Sequence, residues 1–458
     1  MRKHKLFVIA GAALLGAALS ACGGGGTAVT PKVSYIIDEN NPVYKVIKQA
    51  ETMEAKELYK KAMEEINGKE FTGIGNSSRG KTAKEYFINY LKGLDKDGNP
   101  SEEIKKAFPY ADENFNCTIN WTQPKENSIF TMIDTDVKSS NHVIAMTLIQ
   151  DANQIAAKEI NTGNFYNYIP KEWQGEESNK EPFALQSLNK IFEFNNLNKN
   201  KTFKNCWDFV RTGETPMFMT PQSEPVGRNW LIMLSQKKYS DILMNAAKAL
   251  EGAEKERIEK EANNLAAKAT EFNLDAQSGK YGLAFAKLWL NQYAARTDDG
   301  PICNELVTTA AAGSSACIVY SKLRSITESD ASSKKNVTVA AYQDGYKGIG
   351  GYMYKHYLQV LKTSPYPWTS CAFIHFMTCT HDGFAAWGKD IGGYCSNTTA
   401  GVNQDHSKDG GEEFPVLNDK GYDWWVGTGE GKGNLVVEDG AYCASVELTV
   451  GTWLDTLK

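Results

Sequence analysis

The chain has 458 residues, with 50 Lys or Arg against 55 Asp or Glu, which gives a formal charge of -5 at pH 7. Charges of both signs are interspersed and form no basic stretch of the kind that nucleic-acid binding requires, so a nucleic-acid partner is excluded. Hydrophobic residues make up 41% of the chain, enough for two or three ordinary cores.

The N-terminus has the pattern of a secretory signal. Arg2, Lys3 and Lys5 precede an uninterrupted apolar run over residues 6–19 that ends in small residues, which is the order of n-region, h-region and cleavage site. The run is shorter than the ~20 residues that a transmembrane helix needs. Residues 1–21 are therefore predicted to be a cleaved signal peptide, and no later run approaches membrane length.

The residues at the cleavage site carry a second signal. Leu19-Ser20-Ala21-Cys22 resembles the lipobox of bacterial lipoproteins. The resemblance implies that the Cys22 thiol carries a diacylglycerol and anchors the protein to the membrane, with residues 22–30 as a flexible tether. The alternative is a secreted soluble protein whose cleavage site ends in Ala-Cys.

The elements of the first part of the chain alternate between helix and strand. Apolar residues at helical spacing predict a helix over residues 41–67, and residues 71–74 predict a strand that leads to a helix over 83–91. Residues 143–149 predict a second strand, followed by a helix over 152–160. This alternation favours an α/β fold with a largely parallel sheet.

The loop between the first strand and its helix is a candidate binding site. Residues 75–82 match the pattern Gly-x4-Gly-Lys-Thr of phosphate-binding loops. Export to a compartment without ATP, and the lack of a second acidic strand to hold magnesium, argue against a nucleotide. We expect Asn76, Ser77 and Ser78 to present hydroxyls and a helix N-terminus to an anion or a polar ligand. The alternative is that Asn76 and Ser77 only cap the helix.

A second unit of the same design is predicted in the middle of the chain. Residues 191–194 and 217–219 predict strands, and the polar loop 220–229 precedes an apolar helix. Two strand-loop-helix units in separate parts of one chain suit a ligand held between two lobes. Arg228 is expected to clamp a carboxylate or phosphate, although a lone arginine near a helix start is more often a surface residue. Residues 239–273 predict a long, charged, solvated helix.

The cysteines and histidines give no metal or disulfide pattern. The chain has nine cysteines, eight without Cys22, and their spacing selects no pairing. No Cys-x-x-Cys or His-x-x-x-His pair occurs, so neither a metal site nor a cofactor is predicted. Cys317 lies in an apolar run and is predicted to be a buried small hydrophobe.

Several short motifs follow one another in an order typical of a known family. They are Asn205-x-Trp207-Asp208-Phe209, the strand and loop of residues 216–228, and the stretches 192–195, 310–319 and 365–387. In this order they resemble the extracellular solute-binding proteins of ABC importers, over about residues 70 to 390. Glu224 departs from the family pattern of an anion binder, and residues 401–458 have no counterpart in it.

The resemblance implies an α/β fold of the type 2 periplasmic-binding-protein kind, with two lobes and chain crossings near Phe194 and Val337. The implied organisation is a first lobe of residues 31–188 and 337–400, a second lobe of residues 189–336, and a C-terminal extension of residues 401–458 packed on the first lobe. In this fold the ligand lies between the lobes, at the carboxyl ends of the strands.

The candidate ligand-binding residues lie on the loops that would meet in this cleft. They are Asn76, Ser77, Ser78, Gln150, Asp151, Ser223, Glu224, Arg228, Tyr320 and Tyr352. Ser77 and Ser223 are expected to face each other across it. Hydroxyls and arginines favour an anionic solute, whereas Glu224 and the tyrosines favour a sugar, a polyamine or an iron complex, and the choice stays open.

The resemblance implies a protein without catalytic residues. It would be a monomer, anchored on the outer face of the cell membrane, that captures a small polar solute and delivers it to an ABC-type permease. One alternative is an exported hydrolase using Asp134 and Asp136, although no Gly-x-Ser-x-Gly elbow is present. The other is a lipid-anchored adhesin with Trp424 and Trp425 as a contact patch.

Overall fold

A mixed sheet of twelve strands runs through the computed structural model, which describes residues 33–124, 128–222, 224–321, 323, 333–388, 392–398 and 405–457. The predicted signal peptide and tether, with Cys22, and also Ser223 lie outside these residues. The strands are β1 (Glu70–Gly75), β2 (Thr118–Thr122), β3 (Ile144–Ile149), β4 (Phe165–Tyr166), β5 (Ala184–Asn195), β6 (Met217–Met219), β7 (Ala294–Arg296), β8 (Ser315–Val319), β9 (Val337–Val339), β10 (Gly351–Leu361), β11 (Gly393–Cys395) and β12 (Val436–Val437).

Helices cover both faces of this sheet. They are α1 (Pro42–Ala50), α2 (Ala55–Ile66), α3 (Gly80–Leu91), α4 (Glu102–Ala107), α5 (Ser128–Lys138), α6 (Ala152–Gln154), α7 (Pro225–Met233), α8 (Lys237–Lys248), α9 (Gly252–Asn264), α10 (Ala266–Glu271), α11 (Gly279–Gln292), α12 (Asp299–Leu306), α13 (Pro367–Cys379), α14 (His381–Phe384), α15 (Tyr422–Val426), α16 (Gly440–Val446) and α17 (Thr452–Asp455). Two π-helical stretches follow α6 and α16, at Ile155–Ile160 and Glu447–Gly451. Among the described residues, none of the helices combines the length and the apolar character needed to cross a bilayer.

The sheet is built from two similar halves. Its strand order is β2-β1-β3-β10-β5-β8-β6-β7. The first half-sheet, β2-β1-β3, is parallel, and so is the second half-sheet, β7-β6-β8. Between them run β10 and β5, which pair antiparallel with each other and with the half-sheets. This strand order confirms the two-lobed α/β fold predicted from the sequence.

The carboxyl ends of both half-sheets stop near the middle of the two long strands. β3 ends where Ile149 pairs with Tyr357 of β10, and β8 ends where Val319 pairs with Lys190 of β5. The strands of the two half-sheets run in opposite directions along the β5–β10 pair. The loops that follow β3 and β8 therefore approach each other near the middle of this pair. Loops at this edge are where open α/β sheets bind ligands.

Each half-sheet has its own hydrophobic core. The first core packs β1 and β3 against α2, α3 and α13, with Phe87 stacked on Phe373 at 4.9 Å between ring centroids. The second core packs β5 and β8 against α7, α8 and α11, around Trp230 and Trp289, whose rings lie 5.0 Å apart edge to face. Aromatic pairs of this kind add to the free energy gained from burial of apolar area.

The predicted crossing near Val337 is corrected by the structure. β5 contains Phe194 and runs through both halves as expected, but the second long strand is β10. Val337 belongs to the short strand β9, which pairs with β5, and Val339, Tyr346 and Ile349 pack in the second core. The chain therefore leaves the second half-sheet only at β10.

Two predicted long helices are broken. The helix predicted over residues 41–67 is divided into α1 and α2 because the chain turns at Thr52 and is extended at Glu54. The stretch over 239–273 forms α8, α9 and α10, and Gly252, at φ +60°, starts α9 in a conformation that other residues rarely adopt. Amphipathic periodicity continues across such turns, so the sequence pattern did not reveal them.

The C-terminal segment, residues 405–457, packs differently from the expectation. The sequence predicted that this extension lies on the first lobe, but Trp425, Val436 and Leu454 are buried in the second core. The physical reason is the pairing of β12 with Tyr352 and Met353, on the part of β10 that belongs to the second half-sheet. From there α16 reaches across to α6, which follows the first half-sheet.

The eight described cysteines form no disulfides, and most of them are buried. Burial raises the pKa of thiols such as Cys206 and Cys371, so they behave as small apolar side chains. Within the described part of the chain, no group of three or more His, Cys, Asp or Glu side chains could hold a metal ion.

Candidate functional site

The loop after β1 is tied to a neighbouring loop of the first half-sheet. Asn76 Oδ1 accepts a hydrogen bond from the backbone N–H of Gln150 at 3.1 Å, which ties this loop to the loop after β3. Ser77 is buried, and its hydroxyl accepts from Trp387 Nε1 at 3.3 Å, whereas Ser78 is exposed. No side chain caps α3 at Arg79, so the alternative role of Asn76 and Ser77 as helix caps is wrong.

A row of polar side chains on β5 and β10 faces these loops, and we call it the polar row: Gln186, Lys190, Tyr352, Tyr354 and His356. In the register of the two strands, His356 lies opposite Gln186, and Tyr352 lies opposite Lys190. Directly paired residues, and residues two apart, point to the same face of a sheet. The polar row therefore lies on one face of the β5–β10 pair, between the two half-sheets, and its residues are buried.

His356 is held between two amides. Its Nε2 lies 2.7 Å from Gln150 Nε2, and its Nδ1 lies 3.0 Å from Gln186 Nε2. Burial, and then the charge of Arg79, lower the pKa of His356 to about 3. The imidazole is therefore neutral at physiological pH and has one donor and one acceptor nitrogen, so one of the two amides must present its oxygen. Gln186 Oε1 has no hydrogen-bond partner as placed, which identifies Gln186 as that amide.

Lys190 carries the charge of the polar row. Its Nζ lies 2.5 Å from Glu224 Oε2 and 3.2 Å from Asp299 Oδ2, and the side chain is fully buried. Burial alone would lower the pKa of Lys190, but Asp299 and Glu224 outweigh it and raise the pKa above its ordinary value. Glu224, which looked out of place in an anion-binding loop, is the counter-ion of this lysine, just before Pro225 starts α7.

Asp151 connects the first half-sheet to α7 and to the C-terminal segment. It is 3% exposed, and its Oδ1 accepts from Asn229 Nδ2 at 2.9 Å. The same Asn229 amide donates to Glu438 Oε1 at 2.9 Å, and Tyr357 donates to Glu438 Oε2 at 3.1 Å. Burial raises the pKa of Asp151, in spite of hydrogen bonds from Asn229 and Gln154. The loop after β3 and helix α7, which follows β6 of the second half-sheet, therefore meet at this residue.

Arg228 is committed within the chain, which corrects its expected role as a clamp for a ligand. Its guanidinium donates to both carboxylate oxygens of Glu447, at 2.9 and 2.7 Å, and to both of Asp455, at 3.1 and 3.0 Å. Glu447 also accepts from Asn153 Nδ2 at 2.8 Å. Carboxylates of the C-terminal segment therefore take the position that was predicted for an anionic solute.

The two tyrosines predicted for the site are buried and do not face solvent. The Tyr320 hydroxyl donates to the carbonyl oxygen of Val416 at 2.8 Å and so anchors the C-terminal segment. The Tyr352 ring stacks on Trp230 at 5.0 Å, and its hydroxyl has no hydrogen-bond partner. The structure thus places Gln150, Glu224 and Tyr352 on or beside the polar row, whereas Ser223 cannot be compared.

Sequence reasoning missed Gln186, Lys190 and His356. A usable signal was present, because Gln186 and Lys190 recur at even spacing in the strand-like stretch Ala184–Asn195, and every residue of this strand is buried. Polar residues on one face of a fully buried strand require partners, and in a cleft those partners include the ligand.

The residues on which the two alternative functions were based have roles in holding the fold together. Asp136 is buried and accepts from the backbone N–H groups of Val143 and Ile144, while Asp134 pairs with Lys138 on the surface of α5. Trp425 is fully buried and donates to Asp419 at 2.8 Å. Neither a carboxylate pair for hydrolysis nor a tryptophan contact patch is present at these positions.

Comparison with known proteins gives a fold-level likeness only. No protein-family model and no curated protein matches the chain. Among solved structures, the chain is similar to iron-bound HitA from Pseudomonas aeruginosa (11% identity, TM-score 0.49, covering 83% of this chain and 99% of that one). It is also similar to a ferric binding protein from Campylobacter jejuni (13% identity, TM-score 0.46, 84% and 99%) and to the sulfate-binding protein SubI from Mycobacterium tuberculosis H37Rv (12% identity, TM-score 0.40, 76% and 92%).

Proposed function

We propose that this protein is an extracytoplasmic solute-binding protein, anchored through a lipid on Cys22, that captures a small polar solute and delivers it to an ABC-type permease. The observation that carries the proposal is the position of the strand ends. β3 and β8 stop opposite Tyr357 and Lys190, so the loops of both half-sheets converge on the polar row. A solute bound there would contact both halves and favour their closed arrangement.

The chemistry of the polar row favours a neutral or cationic solute over an anion. Lys190 faces two carboxylates, Glu224 and Asp299. His356 is neutral because burial lowers its pKa to about 3, and Arg228 is paired with Glu447 and Asp455. The unpartnered hydroxyl of Tyr352, which can both donate and accept a hydrogen bond, is suited to a polar solute.

A thermal-shift screen over sugars, amines, anions and ferric complexes tests this function. The solute that raises the melting temperature most is then titrated by calorimetry and by small-angle scattering, and it should bind in the micromolar range and reduce the radius of gyration. His356→Gln should weaken its binding about tenfold or more, whereas His381→Leu, on an exposed histidine of α14, should leave it unchanged. Binding that is insensitive to His356→Gln would contradict the proposed cleft.

A further inference from the structure

A cavity lies on the other side of β5 from the polar row. It has a volume of about 410 Å³ and is lined by β11, by Glu176 and Asn179, and by residues of the C-terminal segment between 405 and 423. Ser187 lines it, and successive residues of a strand point to opposite faces, so β5 separates this cavity from Gln186. Its volume is sufficient for a small organic molecule.

The wall of this back cavity is acidic. Its carboxylates are Glu176, Asp405, Asp419 and Asp423. The ammonium group of Lys420 is directed elsewhere, since it lies 4.6 Å from the centre of the Tyr342 ring and 4.5 Å from that of Trp424. The buried Lys355 donates to the carbonyl oxygen of Ser178 at 3.0 Å and does not line the cavity. The cavity therefore presents negative charge.

Asp419 fixes one side of the cavity. Its carboxylate accepts hydrogen bonds from the Tyr394 hydroxyl at 2.8 and 2.9 Å, from Trp425 Nε1 at 2.8 Å, and from the backbone N–H groups of Gly392 and Gly421. These bonds hold the Tyr394 ring edge to face against Tyr422, with 5.6 Å between centroids. Two aromatic rings are thus positioned in an acidic wall, an arrangement that attracts organic cations.

Asn179 supplies an independent sign of a ligand. The residue is 5% exposed, it lines the cavity, and its Oδ1 has no hydrogen-bond partner. A buried carbonyl oxygen without a donor is costly, and the protein itself provides none here. A donor that enters the cavity would supply the missing partner.

We propose that the back cavity binds a small organic amine, whose N–H groups donate to Asn179 Oδ1 and whose charge is matched by the acidic rim and by the faces of Tyr394 and Tyr422. This site is distinct from the cleft of the proposed function, because it lies on the opposite face of β5. A metal ion is a poorer occupant, since no group of three or more ligating side chains exists among the described residues.

Calorimetric titration of the full chain with 1,4-diaminobutane tests the proposal. The diamine should bind, and the isosteric neutral compound 1,4-butanediol should not. Asn179→Leu removes the unpartnered oxygen without leaving another group unpaired, and it should weaken diamine binding about tenfold or more. Asp423→Asn, on the exposed rim, should weaken it about two- to threefold at low salt. Asn114→Leu, an exposed asparagine far from β5 in the fold, is the matched control and should bind as the wild type does.

Three outcomes overturn the inference. The first is absence of diamine binding to a wild-type protein whose thermal melt is cooperative. The second is equal binding of the diol, or displacement of the diamine by Mn²⁺. The third is diamine binding that is lost in His356→Gln and retained in Asn179→Leu, which would make the diamine a solute of the cleft and leave the proposed function standing. Loss in Asn179→Leu with retention in His356→Gln supports the back cavity whatever the cleft binds.

Discussion

At the scale of single residues, the protein keeps several ionisable side chains buried with neutral partners. Glu438 accepts hydrogen bonds from Asn229 and Tyr357. Burial raises the pKa of Glu438 to about 8, and the neighbouring Asp151 adds to this rise. Glu159, bonded to Asn164, is a second case, with its pKa raised to about 7 by burial.

These carboxyls make the stability of the fold depend on pH. An unfolded glutamate titrates near 4.5, so between about pH 4.5 and pH 8 the folded protein holds a proton at Glu438 that the unfolded chain has released. The stabilisation is complete below pH 4.5 and is lost as the pH rises towards 8. We expect the free energy of unfolding, measured in urea, to fall by roughly 3 to 6 kcal/mol between pH 5 and pH 8, with the larger share from Glu438 and the rest from Glu159.

Glu438→Gln separates this contribution from the others. The amide keeps the shape of the protonated carboxyl but does not titrate, so the variant should lose much less stability across the same interval. The slope that remains is assigned to Glu159, whose pKa is shifted in the same direction. Equal pH dependence of the variant and the wild type would show that Glu438 is not protonated in the folded protein.

At the scale of elements, the short strands β1, β3 and β6 were predictable, whereas β2 and most of the long central strands β5 and β10 were not. Alternating strand and helix patterns located β1, β3 and β6 because their residues are apolar and their loops polar. Only residues 191–194 of β5 were predicted, since Gln186, Asn189 and Lys190 look like loop residues in a sequence. They lie in a strand because β8, β10 and β11 supply its hydrogen bonds, and a sequence does not show such distant partners.

The ion pairs of α7 with the C-terminal segment illustrate the same limit. Arg228 was predicted to clamp a carboxylate or phosphate of a ligand, but its partners are the carboxylates of Glu447 and Asp455, more than 200 positions away. Nothing in the sequence near Arg228 indicates these partners.

A double-mutant cycle on Arg228 and Glu447 measures how firmly this segment is held. Both side chains are partly exposed, at 19% and 33%, so we expect a coupling free energy of only about 1 kcal/mol. Arg228→Gln should also speed hydrogen exchange in α16 while exchange in α13 stays unchanged. Coupling near zero with unaltered exchange would mean that β12 and its apolar contacts alone hold the segment.

At the scale of the whole molecule, two parallel half-sheets share two long strands, and this arrangement fits a protein that closes around a solute. The C-terminal segment reaches both halves, through α16 to α6 and through Arg228 to α7. Opening of the cleft must therefore carry this segment with one half or release it. The proposed lipid on Cys22 would attach the whole molecule to a membrane.

Replacement of Cys22 tests that anchor. Cys22→Ser removes the thiol that the lipid would modify, so the protein should be found uncleaved or should leave the membrane fraction. Fractionation and mass spectrometry of the N-terminal peptide measure both outcomes, with Cys117→Ser as the matched control on a cysteine of the folded part. A Cys22→Ser protein that is still processed and still sediments with membranes would rule out the lipid anchor.

The position of β12 and α16 in the chain has a consequence for export. Leu435 and Val436 complete the second core, and Glu438 lies between Asp151 of one half and Asn229 of the other. This junction receives Glu438, and the second core receives Leu454, only after nearly the whole chain has been synthesised. The earlier strands therefore lack these last partners during synthesis. For an exported protein, as proposed above, the late partners would delay compact folding to the far side of the membrane.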